Sequence, residues 1–314
     1  MTMARIGNSE LDVFPLSLGG NVFGWSADEE QSFSVLDAYA AAGGDFVDTA
    51  DVYSEWVPGN SGGESETIIG HWLARRGRRD DIVVATKVGS HPQFKGLRAD
   101  TVRKGAEASL RRLGTDHIDL YYTHFDDPGV PVEEIVTALD ALVKQGKVRV
   151  IGASNLSPER LAASLEFSER EGLARYEILQ PHYNLVEREK YEGPLADVVA
   201  AHGLSAAPYA GLASGFLTGK YRPGGPAVDS LRAGGATPYL TQERGPKVLA
   251  ALDEVAAAHR VEVATVALAW LAAQPTVVAP IASARSVEQL PALLAVGDLK
   301  LTGEEIATLT AAAA

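Results

Sequence analysis

Four side chains in the first 124 residues, Asp48, Tyr53, Lys87 and His124, have between them the chemistry to hand a proton to an oxygen. A phenol has a reference pKa of about 10, so Tyr53 serves as a general acid near neutrality only if its proton is made easier to give. An ammonium such as Lys87 favours the phenolate, and a carboxylate such as Asp48 holds that ammonium charged and oriented. His124 has the donors to orient a carbonyl oxygen. Together the four suit protonation of an alkoxide as it forms on a carbonyl carbon. None of them is a hydride source, so a nicotinamide has to supply the hydride. Taken singly, each has a plainer reading: Asp48 caps a turn, Lys87 ends a strand in solvent, and His124 beside two tyrosines is structural. What joins them is position, because they fall at or just beyond the ends of consecutive strand-like segments.

Those segments are short and apolar: PLSLGG, DFVDTA, IVVATK, IDLYYTH, VRVIGAS, YEILQ, LSAAPY and VVAPI. Between them lie stretches of helical period, such as Ile135, Leu139, Leu142 and Val143, or Ile68, Ile69, Trp72 and Leu73. Ser157-Pro158 reads as a helix start, Gly114 as a helix end, and Thr302-x-x-Glu305 as a capping box for an extra final helix. Eight strands alternating with helices predict an α/β fold, the (β/α)8 TIM barrel, with residues 1–314 as one domain; a doubly wound sheet has the same alternation. ARIGNSELDVF is expected to form a hairpin before the first barrel strand. In such barrels the site is built from the carboxyl ends of the strands. Beyond the first four residues, those ends carry Ser154 and Asn155, Gln180, Tyr209, and then Ser283 and Arg285. The segment YRPGGPAVDSLRAGGATPYLT has neither period and is expected to be an irregular lid.

Composition narrows the chemistry. The chain of 314 residues has no cysteine, which excludes disulfides, thiolate zinc sites, iron–sulfur clusters and cysteine nucleophiles. No metal site is expected. A net charge of −13 argues against nucleic acid and anionic membrane as partners. MTMARIGNSE does not read as a signal peptide, and no apolar run approaches the roughly 20 residues of a membrane span, so a cytoplasmic protein is expected. Oligomeric state is not legible, since no heptad seam stands out.

GGDFVDTADVY, VVATKVG, DLYYTHFDDP, GASN, LQPHYN and PYAGLASGFLTGKY, in this order and spacing, resemble the aldo-keto reductase superfamily. The likeness covers nearly the whole chain. LASGFLTGKYRPG and the two consecutive helical segments before the last strand resemble its bacterial aryl-alcohol dehydrogenase-like and potassium-channel β-subunit-like branch. The resemblance implies NADP(H)-dependent reduction of aldehydes or ketones, with NADP(H) rather than NAD(H) bound across the barrel mouth. It implies Tyr53 as the acid, tuned by Lys87 and Asp48, with His124 orienting the carbonyl. Ser154, Asn155 and Gln180 would hold the nicotinamide carboxamide, and Tyr209 would stack on its ring. Gly211, Leu212, Ser214, Gly215, Gly219 and Lys220 would meet the pyrophosphate. Ser283, Arg285 and Gln289 would meet the adenosine end, Arg285 taking a 2′-phosphate. Two positions depart from the family pattern: Leu293 stands where an adenine-contacting Asn is usual, and Ala282-Ser283 replace Pro-Gly.

Trp25, Trp56 and Phe125 are the aromatic candidates for substrate walls, which points to aryl or bulky carbonyls as the small-molecule partner. Asp126-Asp127 either repel anionic substrates or cap the following turn. Two other functions stay open: a nucleotide-binding regulatory subunit with slow turnover, and a cofactor-free hydrolase using Asp48 with Asp126 or Asp127.

Overall fold

The computed structural model describes residues 3–314. Its strands are β1 (Ala4–Arg5), β2 (Asp12–Val13), β3 (Ser17–Gly19), β4 (Phe46–Asp48) and β5 (Val83–Val88). They continue with β6 (Ile118–Thr123), β7 (Val148–Ser154), β8 (Tyr176–Gln180), β9 (Ser205–Ala206) and β10 (Ile281–Ala282). The helices are α1 (Glu29–Ala41), α2 (Glu64–Arg76), α3 (Ala99–Leu113), α4 (Val132–Lys144), α5 (Pro158–Glu171) and α6 (Pro194–Ala201). After these come α7 (Ala233–Thr241), α8 (Arg244–His259), α9 (Val263–Ala272), α10 (Leu290–Leu294) and α11 (Gly303–Ala312).

Eight strands form one parallel sheet in the order β10-β3-β4-β5-β6-β7-β8-β9. Its ends meet: Val278 N donates to Ala206 O at 3.0 Å, Ile281 N to Pro208 O at 2.9 Å and Ser17 N to Pro280 O at 2.9 Å. The sheet is therefore the expected (β/α)8 barrel. β10 is shorter than VVAPI suggests and displaced to its end, because Pro280 has no N–H to give a ladder.

The expected hairpin is β1 paired antiparallel with β2. Ile6, Leu11 and Val13 are buried against Phe46, Val83, Leu120, Val150 and Ile178, so the hairpin plugs the N-terminal end of the barrel. Outside the sheet, Ile68, Ile69, Trp72 and Leu73 of α2 and Ile135, Leu139 and Leu142 of α4 are buried, as their spacing predicts. The punctuation also matches. Ser157 caps α5 with Pro158 at its first position, Gly114 ends α3 with φ 63°, and Thr302 and Glu305 form a reciprocal capping box on α11.

α9 has no polar face: every residue from Ala264 to Leu271 is buried. The only long-side-chain polar group there, the Trp270 indole, donates to Thr310 Oγ1 at 2.9 Å, which ties α11 to the core. No single helix among the described residues is long and apolar enough to cross a membrane, and α8 and α9, which reach that length together, bend by 98° at their junction.

The irregular lid is only half irregular, which corrects the expectation for residues 221–241. Residues 233–241 form α7 despite Gly234, Gly235 and an internal Pro238. Propensity does not explain this helix. Tertiary contact does: Ala236 is fully buried, the Tyr239 ring lies 5.2 Å from Phe216, and Tyr239 Oη donates to Glu187 at 2.8 Å.

Candidate active site

Strand side chains alternate between faces, and the barrel interior follows that period. Phe46, Ala85, Tyr122, Ile178, Ala207 and Ile281 point inward and pack together. Two residues further along the same strands or their extensions stand Asp48, Lys87, His124, Gln180, Tyr209 and Ser283. Ser154 follows Gly152 on β7 in the same way. The polar ring is thus the next inward layer above the apolar plug. Gly152 is required beneath it, because a Cβ there would lie 2.5 Å from the Tyr122 ring.

In this ring Lys87 Nζ donates three hydrogen bonds: to Asp48 Oδ2 at 2.7 Å, to Thr49 O at 2.7 Å and to Tyr53 Oη at 2.9 Å. All three ammonium donors are thereby used. The second Asp48 oxygen accepts from Gln180 Nε2 at 2.8 Å. Lys87 and Asp48 are 0% and 2% exposed, so the pair exists only because each charge is bonded to the other and to further polar groups. Burial lowers the Lys87 pKa and Asp48 opposes that shift. Tyr53 is pushed well above its ordinary value by burial and by the Asp48 carboxylate. The Arg232 charge opposes that rise and is outweighed, so Tyr53 holds its proton throughout the neutral range. Because Lys87 occupies a lone pair of the phenol oxygen, the phenol hydrogen is left to point elsewhere. Its contact with Asp48, at 3.4 Å, is long.

The His124 ring stands edge-on to Tyr53, with centroids 6.1 Å apart. Burial and the Lys87 charge push its pKa well below the usual histidine range, so it is a neutral imidazole at pH 7. Its Nδ1 is buried without a hydrogen-bond partner. Beside it, Asn155 adopts left-handed backbone (φ 54°) and donates to His124 O at 2.9 Å and to Ser154 Oγ at 3.0 Å. Tyr209 Oη donates to Asn155 Oδ1 at 2.9 Å, and Ser154 Oγ to Gln180 O at 2.8 Å. Ser154, Asn155, Gln180 and Tyr209 therefore form one bonded patch adjoining the Asp48–Lys87–Tyr53 group.

A cavity of about 530 Å³ opens beside Asp48 and Tyr53 and runs from Trp25 to Arg285. Tyr209, Gly211, Leu212, Ser214, Gly215 and Lys220 line it, and so do Ser283, Arg285, Gln289 and Leu293. Ala213, Ser214 and Gly215 have consecutive positive φ values of 46°, 57° and 91°, a tight left-handed turn closed by Ala213 N donating to Ala210 O and Gly215 N to Leu212 O, both at 2.8 Å. A Cβ on Gly215 would lie 3.3 Å from Lys220 Cε, so a side chain there would crowd the lysine. The extent of the cavity and the cations Lys220 and Arg285 along it fit a long anionic ligand. Gln289 has a second task, since its Oε1 accepts from Arg285 N at 2.8 Å.

Among the cavity residues that the sequence did not single out, Arg232 and Asn21 join the segment after Lys220 to the barrel. Arg232, from the lid, donates to Asn21 Oδ1 at 3.0 Å, and Ser283 Oγ donates to the same atom at 2.7 Å. Arg232 also lies over the Trp25 ring, 5.7 Å from its centroid, and burial with the nearby Arg285 lowers its pKa. It makes a third cation in the cavity with Lys220 and Arg285. Asn21 had a signal: it continues the inward parity of Ser17 and Gly19 beyond β3. Arg232 had none, as no period marks its segment.

The aromatic candidates stand round the mouth. Trp25 meets Trp56 edge-on at 5.7 Å, Trp56 meets Tyr53 at 6.2 Å, and Phe125 stacks on His124 at 5.0 Å. Trp56 and Phe125 are 46% and 53% exposed, an unusual state for large apolar rings. Asp126 is gripped by Arg160 through contacts of 2.8 to 3.0 Å, and Asp127 accepts from Leu97 N at 3.0 Å and Gly129 N at 3.2 Å. The acidic pair holds loops together, which leaves neither carboxylate free for hydrolytic work with Asp48.

The model of the aldo/keto reductase family matches residues 15–314. An aldo-keto reductase of Strobilurus tenacellus is 33% identical over 98% of this chain and 88% of its own length. A norsolorinic acid reductase of Emericella nidulans is 33% identical over 94% of this chain and 76% of its own. A probable voltage-gated potassium channel subunit beta of Oryza sativa subsp. japonica is also 33% identical, over 92% and 89%.

Proposed function

The chain belongs to the aldo/keto reductase family, and we propose that it reduces aldehydes or ketones to alcohols with NADPH, Tyr53 acting as general acid. The observation that carries this reading is the three-way contact of Lys87 with Asp48, Thr49 and Tyr53 at the end of a cavity lined by Lys220, Arg232 and Arg285. When bound, NADPH would supply a hydride to the carbonyl carbon. The chain supplies the rest. As negative charge grows on the carbonyl oxygen, Tyr53 gives its proton to that oxygen and the C=O bond becomes C–O–H. An alkoxide is a stronger base than a phenolate, so the transfer is favourable even with the phenol pKa raised. The Lys87 donation at 2.9 Å then stabilises the phenolate oxygen, and Asp48 keeps Lys87 charged. Neutral His124 offers an uncharged ring nitrogen to orient the oxygen without competing for the proton.

Ser154, Asn155 and Gln180 offer donors and acceptors of the kinds a carboxamide needs. Arg285, a fixed planar cation, suits a 2′-phosphate. The exposed Trp56 and Phe125 beside Trp25 favour aryl or bulky carbonyls. A similar level of identity to a channel subunit keeps a regulatory role with slow turnover as the second reading. A panel of aromatic and aliphatic carbonyls with NADPH and NADH, followed by loss of reduced-nicotinamide absorbance, separates the two. Turnover of about 1 per second or faster on an aryl aldehyde supports the enzyme. Tight NADPH binding with no carbonyl reduced across the panel would leave the regulatory role.

A further inference from the structure

Tyr209 lines two cavities: the large one of about 530 Å³ that it shares with Asp48 and Tyr53, and a second of about 190 Å³ bordered also by Leu156, Leu179, Pro181 and Leu195. Space beside the ring in both directions means that close packing alone does not fix its plane. Three contacts do. Tyr209 N donates to Pro181 O at 2.9 Å and holds the backbone, while Tyr209 Oη donates to Asn155 Oδ1 at 2.9 Å and holds the tip. The third contact is His182, whose ring centroid lies 5.0 Å from that of Tyr209 with the planes inclined by 33°. The two rings meet because His182 and Tyr209 pair directly across the extensions of β8 and β9, two residues beyond Gln180 and Ala207. His182 is itself tied down. Lys190 Nζ stands 3.4 Å from His182 Nδ1 and 3.1 Å from Glu187 Oε2, and Glu187 Oε1 accepts from Tyr239 Oη of α7 at 2.8 Å. An ammonium has no lone pair, so His182 Nδ1 accepts and its proton sits on Nε2. Burial and the Lys190 charge lower the His182 pKa, in keeping with a neutral ring.

We propose that His182 is a positioning residue that holds the Tyr209 ring against the large cavity and so tightens the grip on the nicotinamide end of the cofactor. This rests on the reading of a nicotinamide dinucleotide as the ligand and of Tyr209 as the surface for its ring. His182 borders the second cavity and not the large one, so its effect on a ligand in the large cavity passes through Tyr209. Without the imidazole the second cavity widens, and the Tyr209 ring has room to tip into it while Asn155 restrains only the hydroxyl. A tipped ring no longer meets a nicotinamide face to face. Lys220 and Arg285, further along the large cavity, are left as they were. The loss is therefore confined to one end of a long ligand.

Calorimetric titration of the parent and His182→Ala with NADPH, and with adenosine 2′,5′-bisphosphate as the part of NADPH that lacks nicotinamide, separates the two ends. The Kd for NADPH should rise about three- to tenfold in His182→Ala, the size of one lost aromatic contact, while the Kd for the bisphosphate stays within about twofold. His182→Phe restores a flat ring without the nitrogens and should recover most of the loss. A merely structural role does not distinguish the ligands, so equal changes for both, or no change for either, overturn the proposal. His182→Gln keeps bulk and an acceptor for Lys190, and takes the place of His182→Ala if that variant does not fold. The support of the ring is also read without any ligand, by NMR of 13Cζ-labelled tyrosine with Tyr209 assigned from Tyr209→Phe. Burial raises the Tyr209 pKa, so admission of water in His182→Ala should let Tyr209 ionise at lower pH, and His182→Phe should reverse this. Equal titration in parent and His182→Ala overturns the proposal even if the parent binds no NADPH, a result that would count separately against the dinucleotide reading.

Discussion

Lys87 shows how a charge survives at 0% exposure: each of its three N–H groups meets an oxygen within 2.9 Å. Lys87→Met would leave the buried Asp48 carboxylate with Gln180 and the long 3.4 Å contact from Tyr53 as its donors. Urea unfolding should then show a loss of about 3–5 kcal/mol, with carbonyl reduction falling as well. His124 carries a pH prediction for stability. Its folded-state pKa is depressed, so its contribution to stability is present above about pH 6.5 and lost as pH falls below that value. Between pH 6.5 and pH 7.5 kcat/KM should show no histidine transition, and a transition centred near 6.5 would refute the neutral imidazole. Arg285→Ala should raise the Kd for NADPH more than that for NADH, because only the former has a 2′-phosphate; equal losses would remove Arg285 from that role.

The elements explain which of these residues were readable. β4 through β8 announce themselves as apolar runs with a polar residue at or next to the carboxyl end, and the two-residue period carries Asp48, Lys87, His124, Ser154 and Gln180 into one ring. Asn21 obeys the same period but follows a strand that ends in two glycines. The partnership of Arg232 with Asn21 spans 211 residues, and no local pattern encodes such a contact. α7 is the other failure: Gly and Pro signal irregularity, and only the contact with Phe216 and Glu187 overrides them. The Arg232–Asn21–Ser283 bridge makes the lid's position testable. Asn21→Ala should speed proteolysis within residues 222–232 and raise the NADPH dissociation rate several-fold. Unchanged cleavage and exchange would mean that the bridge does not hold the lid.

Across the whole molecule the barrel separates support from chemistry. The hairpin plug of Ile6, Leu11 and Val13 closes one end, and the polar ring with its cavity occupies the other. Ile6→Ala should cost about 2–5 kcal/mol of stability by opening a cavity, while kcat stays within about twofold of the parent. A large loss of kcat in a protein that remains folded would contradict this division. The acidic chain, at −13 overall, gathers Lys220, Arg232 and Arg285 at the same mouth, so the positive charge there is local and not a property of the surface as a whole.

Tyr53 is the proposed proton donor, and single-turnover reduction of an aryl aldehyde by Tyr53→Phe tests that role. The hydroxyl is removed while the ring packing against Trp56 and His124 is kept. The predicted result is a rate lower by about 10²–10⁴-fold with NADPH affinity within about threefold of the parent. Reduction at the parent rate would rule out Tyr53 as the acid.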